Sequence, residues 1–155
     1  MQPPDKTLTP WVPAPFTQFG ARFSPDGQWV AYVSTKTDTP EVWVRPFPGP
    51  GVPVRVSSGG GHEPTWSHDA KEIFFTNGTK MMAARVTTLD PLPVIEAPQP
   101  LFEGGFATDS LDLVLRFYDV APDGRFLVVK PAELRNPSIV VTQRWDQELN
   151  ARLPK

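Results

Sequence analysis

An all-β fold made of three successive antiparallel sheet repeats is what this sequence predicts, and three observations carry the prediction. Twenty prolines and eleven glycines are spread along 155 residues. They leave almost no uninterrupted window for a helix, because proline lacks the N–H a helix interior needs and clashes with the preceding turn. The gaps between them hold aromatic and β-branched runs such as Trp29-Val30-Ala31-Tyr32-Val33 and Ile73-Phe74-Phe75, which argues for short strands joined by tight turns and against disorder. The third observation is self-similarity.

Three segments share one pattern: a bulky residue, a four-residue turn with Asp third, then a strand-forming run. They are Phe23-Ser24-Pro25-Asp26-Gly27 followed by Gln28 to Tyr32, Trp66-Ser67-His68-Asp69-Ala70 followed by Lys71 to Phe75, and Val120-Ala121-Pro122-Asp123-Gly124 followed by Arg125 to Val129. Proline presets φ at the first central turn position, Asp bonds back to the local backbone, and Gly accepts a positive φ where the chain leaves. Each turn therefore joins two antiparallel strands. Further strand-forming runs follow at Glu41 to Phe47, Lys80 to Thr87 and Ser138 to Arg144, with another at Val52 to Ser57 in the first unit. Each repeat offers three or four strands.

Asp26 and Asp69 stand 43 residues apart, and Asp69 and Asp123 stand 54 apart. β-Propeller blades repeat every ~40–50 residues. The fold class expected is thus all-β, with three antiparallel blade repeats in a single domain over residues 1–155. The blades fall at about 17–59, 60–103 and 112–145. The longer second interval implies an insertion of about 11 residues relative to the first, expected between Leu101 and Leu115. Trp145, Leu149 and Leu153 fall on one face of a short helix, so residues 145–155 are expected to form a C-terminal helix or tail covering an open edge.

The turn Arg22-Phe23-Ser24-Pro25-Asp26-Gly27 with the strand Trp29 to Ser34 resembles the TolB-like, WD-like propeller repeat. Glu41-Val42-Trp43-Val44-Arg45-Pro46-Phe47-Pro48-Gly49, Ser57-Ser58-Gly59-Gly60-Gly61 and Trp145-Asp146-Gln147-Glu148-Leu149 are similar to propellers at the C-terminal end of some bacterial Ser/Thr protein kinases. The resemblance spans about residues 14–150. His68, Ala70 and Ala121 depart from its turn pattern. It implies a propeller and no particular activity, since one fold hosts many functions. No kinase segment accompanies it: a Gly-rich phosphate loop and a catalytic His-Arg-Asp are both missing.

Propellers usually close with four to eight blades, which protects their sheet edges. Three blades leave two open ends. Two chains can close a six-bladed ring as an isologous homodimer. The chain can also be part of a longer propeller, or an open wedge capped by its termini. Lys6 to Trp11 is a candidate outer strand for the last blade.

Composition excludes several classes. The net charge of −2 and pI near 5.6 lack the basic face a nucleic-acid partner needs. No apolar run approaches a membrane span, so no membrane partner is expected. With no cysteine, disulfides and thiolate metal sites are ruled out. No signal peptide is visible, which points to the cytoplasm if the chain is complete.

Catalytic motifs are sparse. Gly-x-Ser-x-Gly is missing, and Gly59-Gly60-Gly61 lacks the Lys-Ser/Thr of a P-loop and reads as a blade-to-blade link. His62 and His68, beside Glu63 and Asp69, are too few for a convincing zinc site. Asp26 and Gly27 are adjacent, unlike the separated pair of the sialidase Asp-box. The prolines between Pro46 and Pro53 read as a hairpin turn. Glu103, Asp109 and Asp112 read as solvating a long loop. No cofactor, metal or catalytic residue is expected. Propeller geometry leaves one place for a ligand, the channel mouth. Arg22, Thr65 and Asp119 share a register there, and Arg22, His62, Glu63, Arg116 and Tyr118 are the candidate binding residues, with Phe19 alongside. Ser24, Pro25, Asp26, Gly27, Asp69, Pro122, Asp123 and Gly124 are structural turn residues. The expected function is a non-catalytic protein- or peptide-binding or scaffolding module. The alternatives are a hydrolase-like enzyme with a channel site and a propeller remnant without function.

Overall fold

Strand-forming runs separated by proline and glycine give, among the described residues, twelve β-strands and no helix. The computed structural model describes residues 11, 14–90, 92–104 and 117–129, and the backbone of 139–141. The strands form three antiparallel sheets in chain order. Sheet 1 holds β1 (Gln18–Phe23), β2 (Trp29–Ser34), β3 (Glu41–Pro46) and β4 (Val54–Arg55). Sheet 2 holds β5 (His62–Trp66), β6 (Glu72–Asn77), β7 (Lys80–Thr88), β8 (Val94–Ile95) and β9 (Gln99–Glu103). Sheet 3 holds β10 (Tyr118–Val120), β11 (Phe126–Val129) and β12 (Ile139–Val141).

Each of the three repeated turns makes the hairpin expected of it, joining the first two strands of its sheet. The run Val52 to Ser57 yields a shorter strand than its composition suggests. Pro53 has no N–H to donate, and past Arg55 both Val56 N and Ser57 N turn onto the one carbonyl of Val42, at 2.8 and 3.4 Å. Sheet 2 is larger than expected. The long strand β7 pairs with β9 through Lys80–Ala83 and with β8 beyond Val86. The extra length of the second repeat is therefore partly taken up by β8 and its flanks. Leu101 to Glu103, expected to begin an insertion, lie in β9. The rest of that segment, with Asp109 and Asp112, lies outside the described residues, as does the expected C-terminal helix. Of Lys6 to Trp11 only Trp11 is described, and it sits on sheet 1, not on the last sheet.

The sheets pack in sequence. Ala31, Val33, Val42 and Val44 of sheet 1 meet Trp66, Ile73, Phe75 and Ala84 of sheet 2 in one buried cluster. A second cluster joins Phe74, Met81 and Ala83 of sheet 2 to Tyr118, Phe126 and Val128 of sheet 3. Side chains alternate between the faces of a strand, so the middle sheet uses both faces. This is why Ile73-Phe74-Phe75 is a continuous apolar run: each of the three is buried, and each such side chain contributes roughly 1.5–3 kcal/mol. At the two ends alternation gives different results. In β2, Val30 and Tyr32 point away from sheet 2 and are still 3% and 5% exposed. In β11, Leu127 and Val129 point away from sheet 2 and are each 43% exposed.

Candidate functional site

The first strands of the three sheets, β1, β5 and β10, carry Arg22, His62, Glu63 and Tyr118 of the candidate binding residues. β1 carries a bulge between Phe19 and Arg22, and β5 carries one between His62 and Thr65. The bulges occupy equivalent positions: Gly20 has φ +65° and Glu63 has φ +53°. A non-glycine residue in the left-handed region costs roughly 1–2 kcal/mol, and Glu63 is held there by bonds to sheet 3. The Tyr118 hydroxyl lies 2.5 Å from Glu63 O and 3.0 Å from Phe74 O, and shares its proton between them. Phe117 N donates to Glu63 Oε1 at 3.2 Å. One repeat earlier, Trp66 Nε1 donates to Arg22 O at 3.2 Å. An aromatic polar tip on β5 and another on β10 thus each hook a carbonyl of the first strand of the preceding sheet.

Glu63 and Tyr118, singled out as ligand-binding candidates, are brought together in this inter-sheet lock, with Tyr118 only 3% exposed. Arg22 is exposed beside the first bulge, its Nη1 donating to Ala21 O. His62 is half-buried, its ring tilted against Phe19 at 6.3 Å between centroids. Thr65 is buried and Asp119 exposed. Arg116 lies outside the described residues. Burial lowers the pKa of His62, and the charge of Glu41 works against that shift. Of these side chains, Phe19, Arg22 and His62 are at least partly exposed.

A second constellation, which sequence reasoning missed, sits where sheet 1 passes to sheet 2. Glu41 opens β3 and is 2% exposed. Ser57 Oγ donates to its Oε2, while Gly59 N, Gly60 N and Thr39 Oγ1 donate to its Oε1 at 2.8, 3.2 and 3.2 Å. Val42 N in turn donates to Ser57 Oγ at 2.8 Å. The positive φ of Gly59 and Gly60 (+80° and +110°) turns their N–H groups toward the carboxylate. Burial raises the Glu41 pKa, but the bonds from Ser57, Gly60, Gly59 and Thr39 outweigh it and hold the group below its ordinary value. The carboxylate is saturated by its own chain, so this is a clasp for the inter-sheet link and not a ligand site.

The turn residues form the third constellation. Ser24 Oγ donates to Asp26 Oδ1 at 2.5 Å and accepts from Trp29 N at 2.9 Å, and Gln28 N donates to Asp26 Oδ1 at 3.0 Å. Ser67, Asp69, Lys71 and Glu72 reproduce the same bonds at 2.8, 2.9 and 3.1 Å. In the third turn Ala121 supplies no hydroxyl. The hairpin closes one residue earlier, Ala121 N reaching Arg125 O at 2.8 Å, and Arg125 takes over the Asp123 carboxylate through N and Nε, at 3.2 and 2.7 Å.

No family model matches this sequence, and no curated protein matches it either. Function has to be argued from the geometry. Among the described residues, no three His, Asp or Glu side chains converge as metal ligands would. Ser57, whose hydroxyl bonds the Glu41 carboxylate, is 2% exposed and already bonded on both sides. What the arrangement offers is surface: the partly exposed Phe19, Arg22 and His62, and two unlike end faces.

Proposed function

We propose that this chain is a non-catalytic binding or scaffolding module of the TolB-like β-propeller kind. Its three sheets are three blades, and two copies close a six-bladed ring. The observation that carries this reading is the outward face of sheet 3, where Leu127 and Val129 are large apolar side chains left exposed, on a strand whose other face is buried against sheet 2. Between the sheets of one chain the same kind of face is covered by the next sheet. A second copy, related by a two-fold axis, covers both open ends at once. The closed ring then presents two symmetry-related mouths containing Phe19, Arg22 and His62 to a protein or peptide partner.

Light scattering coupled to gel filtration over a range of concentrations tests the assembly. The wild-type mass is expected to rise from 17.2 kDa toward twice that value, while Leu127→Asp, which places a charge in the contact, stays at the lower mass. A wild-type chain that dimerises equally well with Leu127→Asp would remove sheet 3 from the interface and the ring with it.

A further inference from the structure

The buried end of the stack has a visible occupant. On the face of sheet 1 that looks away from sheet 2, the Trp11 ring stands edge-on to Phe47 at 5.4 Å and to Tyr32 at 6.4 Å between centroids. The guanidinium of Arg45 lies 5.2 Å from the ring centroid, and Trp11 Nε1 donates to Pro48 O at 2.9 Å. Only six residues, 12 to 17, separate Trp11 from β1 in sequence, so the ring belongs to the chain leading into the sheet it covers.

Trp11 covers this face without satisfying it. Trp43 Nε1 and Arg45 Nε, neighbours on the same side of β3, are buried and find no hydrogen-bond acceptor among the described residues. A buried donor left without an acceptor costs free energy, and an indole ring has no acceptor oxygen to give. Lys36, 5.5 Å from the Trp43 ring centroid, adds a further cation to the same area. The face is apolar at Val30 and Tyr32, and rich in donors at Trp43 and Arg45. It suits a sheet surface that brings apolar side chains together with oxygen acceptors.

We infer that Trp11 is an internal plug: it occupies the face of sheet 1 that sheet 3 of a second copy covers on ring closure, and it must leave for the ring to form. This rests on the ring reading above and adds its regulation. Each of the two chains must clear its own Trp11, so the plug lowers the apparent affinity of the dimer in proportion to the square of the fraction of chains in which the face is clear. Two edge-on ring contacts, a cation–π contact and one hydrogen bond make that fraction about one-tenth or less. Monomer is then favoured at low concentration, and anything that captures the Trp11 ring promotes assembly.

The experiment measures the dimer dissociation constant of the full chain by light scattering, with folding checked by circular dichroism. Trp11→Ala is expected to dimerise about a hundredfold more tightly than wild type. Trp11→Phe, which keeps a ring and loses the bond to Pro48, should fall between the two, and it carries the test if the alanine variant does not fold. Trp11→Ala combined with Leu127→Asp should be monomeric. A folded Trp11→Ala or Trp11→Phe that dimerises no more tightly than wild type overturns the plug while leaving the ring intact. If neither wild type nor any Trp11 variant dimerises, the ring reading fails and the plug with it.

Discussion

Ser24 Oγ and Asp26 Oδ1 each serve more than one bond, so the turn depends on the hydroxyl more than its length suggests. Ser24→Ala and Ser67→Ala are each expected to lower unfolding free energy by about 1–2 kcal/mol, read from urea midpoints. The exposed carboxylates are lowered in pKa by these same bonds, Asp26 chiefly by the Ser24 hydroxyl and Asp69 chiefly by that of Ser67. Ala70 departs from the repeat in the opposite sense. It stands at φ +59°, where the first turn has Gly27 at +71°. Ala70→Gly is expected to raise stability by about 0.5–1 kcal/mol, less whatever contact the methyl makes with the first core cluster. An unchanged or lower urea midpoint would contradict this.

At the level of elements, the link between sheets 1 and 2 is the part most sensitive to change. A Cβ on Gly61 would stand 2.5 Å from Ser57 Oγ and 3.0 Å from Val42 Cγ2, so Gly61→Ala should cost more than about 2 kcal/mol. Glu41→Gln keeps the shape but replaces one carboxylate oxygen with a donor facing donors, and should cost about 2–3 kcal/mol. Both are measured by denaturant unfolding. The strands themselves were readable: the Trp29-to-Val33 and Ile73-to-Phe75 runs, flanked by turn residues, locate β2 and β6 because local composition and burial agree there. The reading of Gly59 to Gly61 as a link also matches their place between β4 and β5. The clasp was not readable, because Glu41 meets Ser57 and the two glycines across 16 to 19 residues of chain. The paired bulges were hidden for a different reason. Gly20 and Glu63 share a backbone conformation and no side-chain chemistry, and Glu63 is held by residues 54 and 55 positions away.

For the whole molecule, acid is the revealing variable. His62 and Glu41 both have pKa values lowered from 6.5 and 4.5. The unfolded chain therefore binds more protons than the folded one just below each ordinary value, and stability must fall as pH falls. The loss begins below about pH 6.5 as His62 is driven to protonate, and a further loss follows below about pH 4.5 as the Glu41 clasp is neutralised. His62→Asn should flatten the first part of the thermal midpoint against pH while leaving the second. An equal slope in both proteins between pH 7 and 5 would assign the effect elsewhere.

Two separate apolar clusters share the middle sheet and nothing else. Folding cooperativity then resembles that of a short repeat array, in which each unit is stabilised by its nearest neighbours. Amide hydrogen exchange should be slowest in β6 and β7, which are locked from both sides, and faster in β11, whose outward side chains Leu127 and Val129 are exposed. Association at that end would extend the array by one nearest-neighbour contact. Protection of Leu127 to Val129 should then climb with protein concentration, while that of Ile73 to Phe75 scarcely moves. The molecule thus has a soft end and a hard centre, and the soft end is the one that gains order when chains meet.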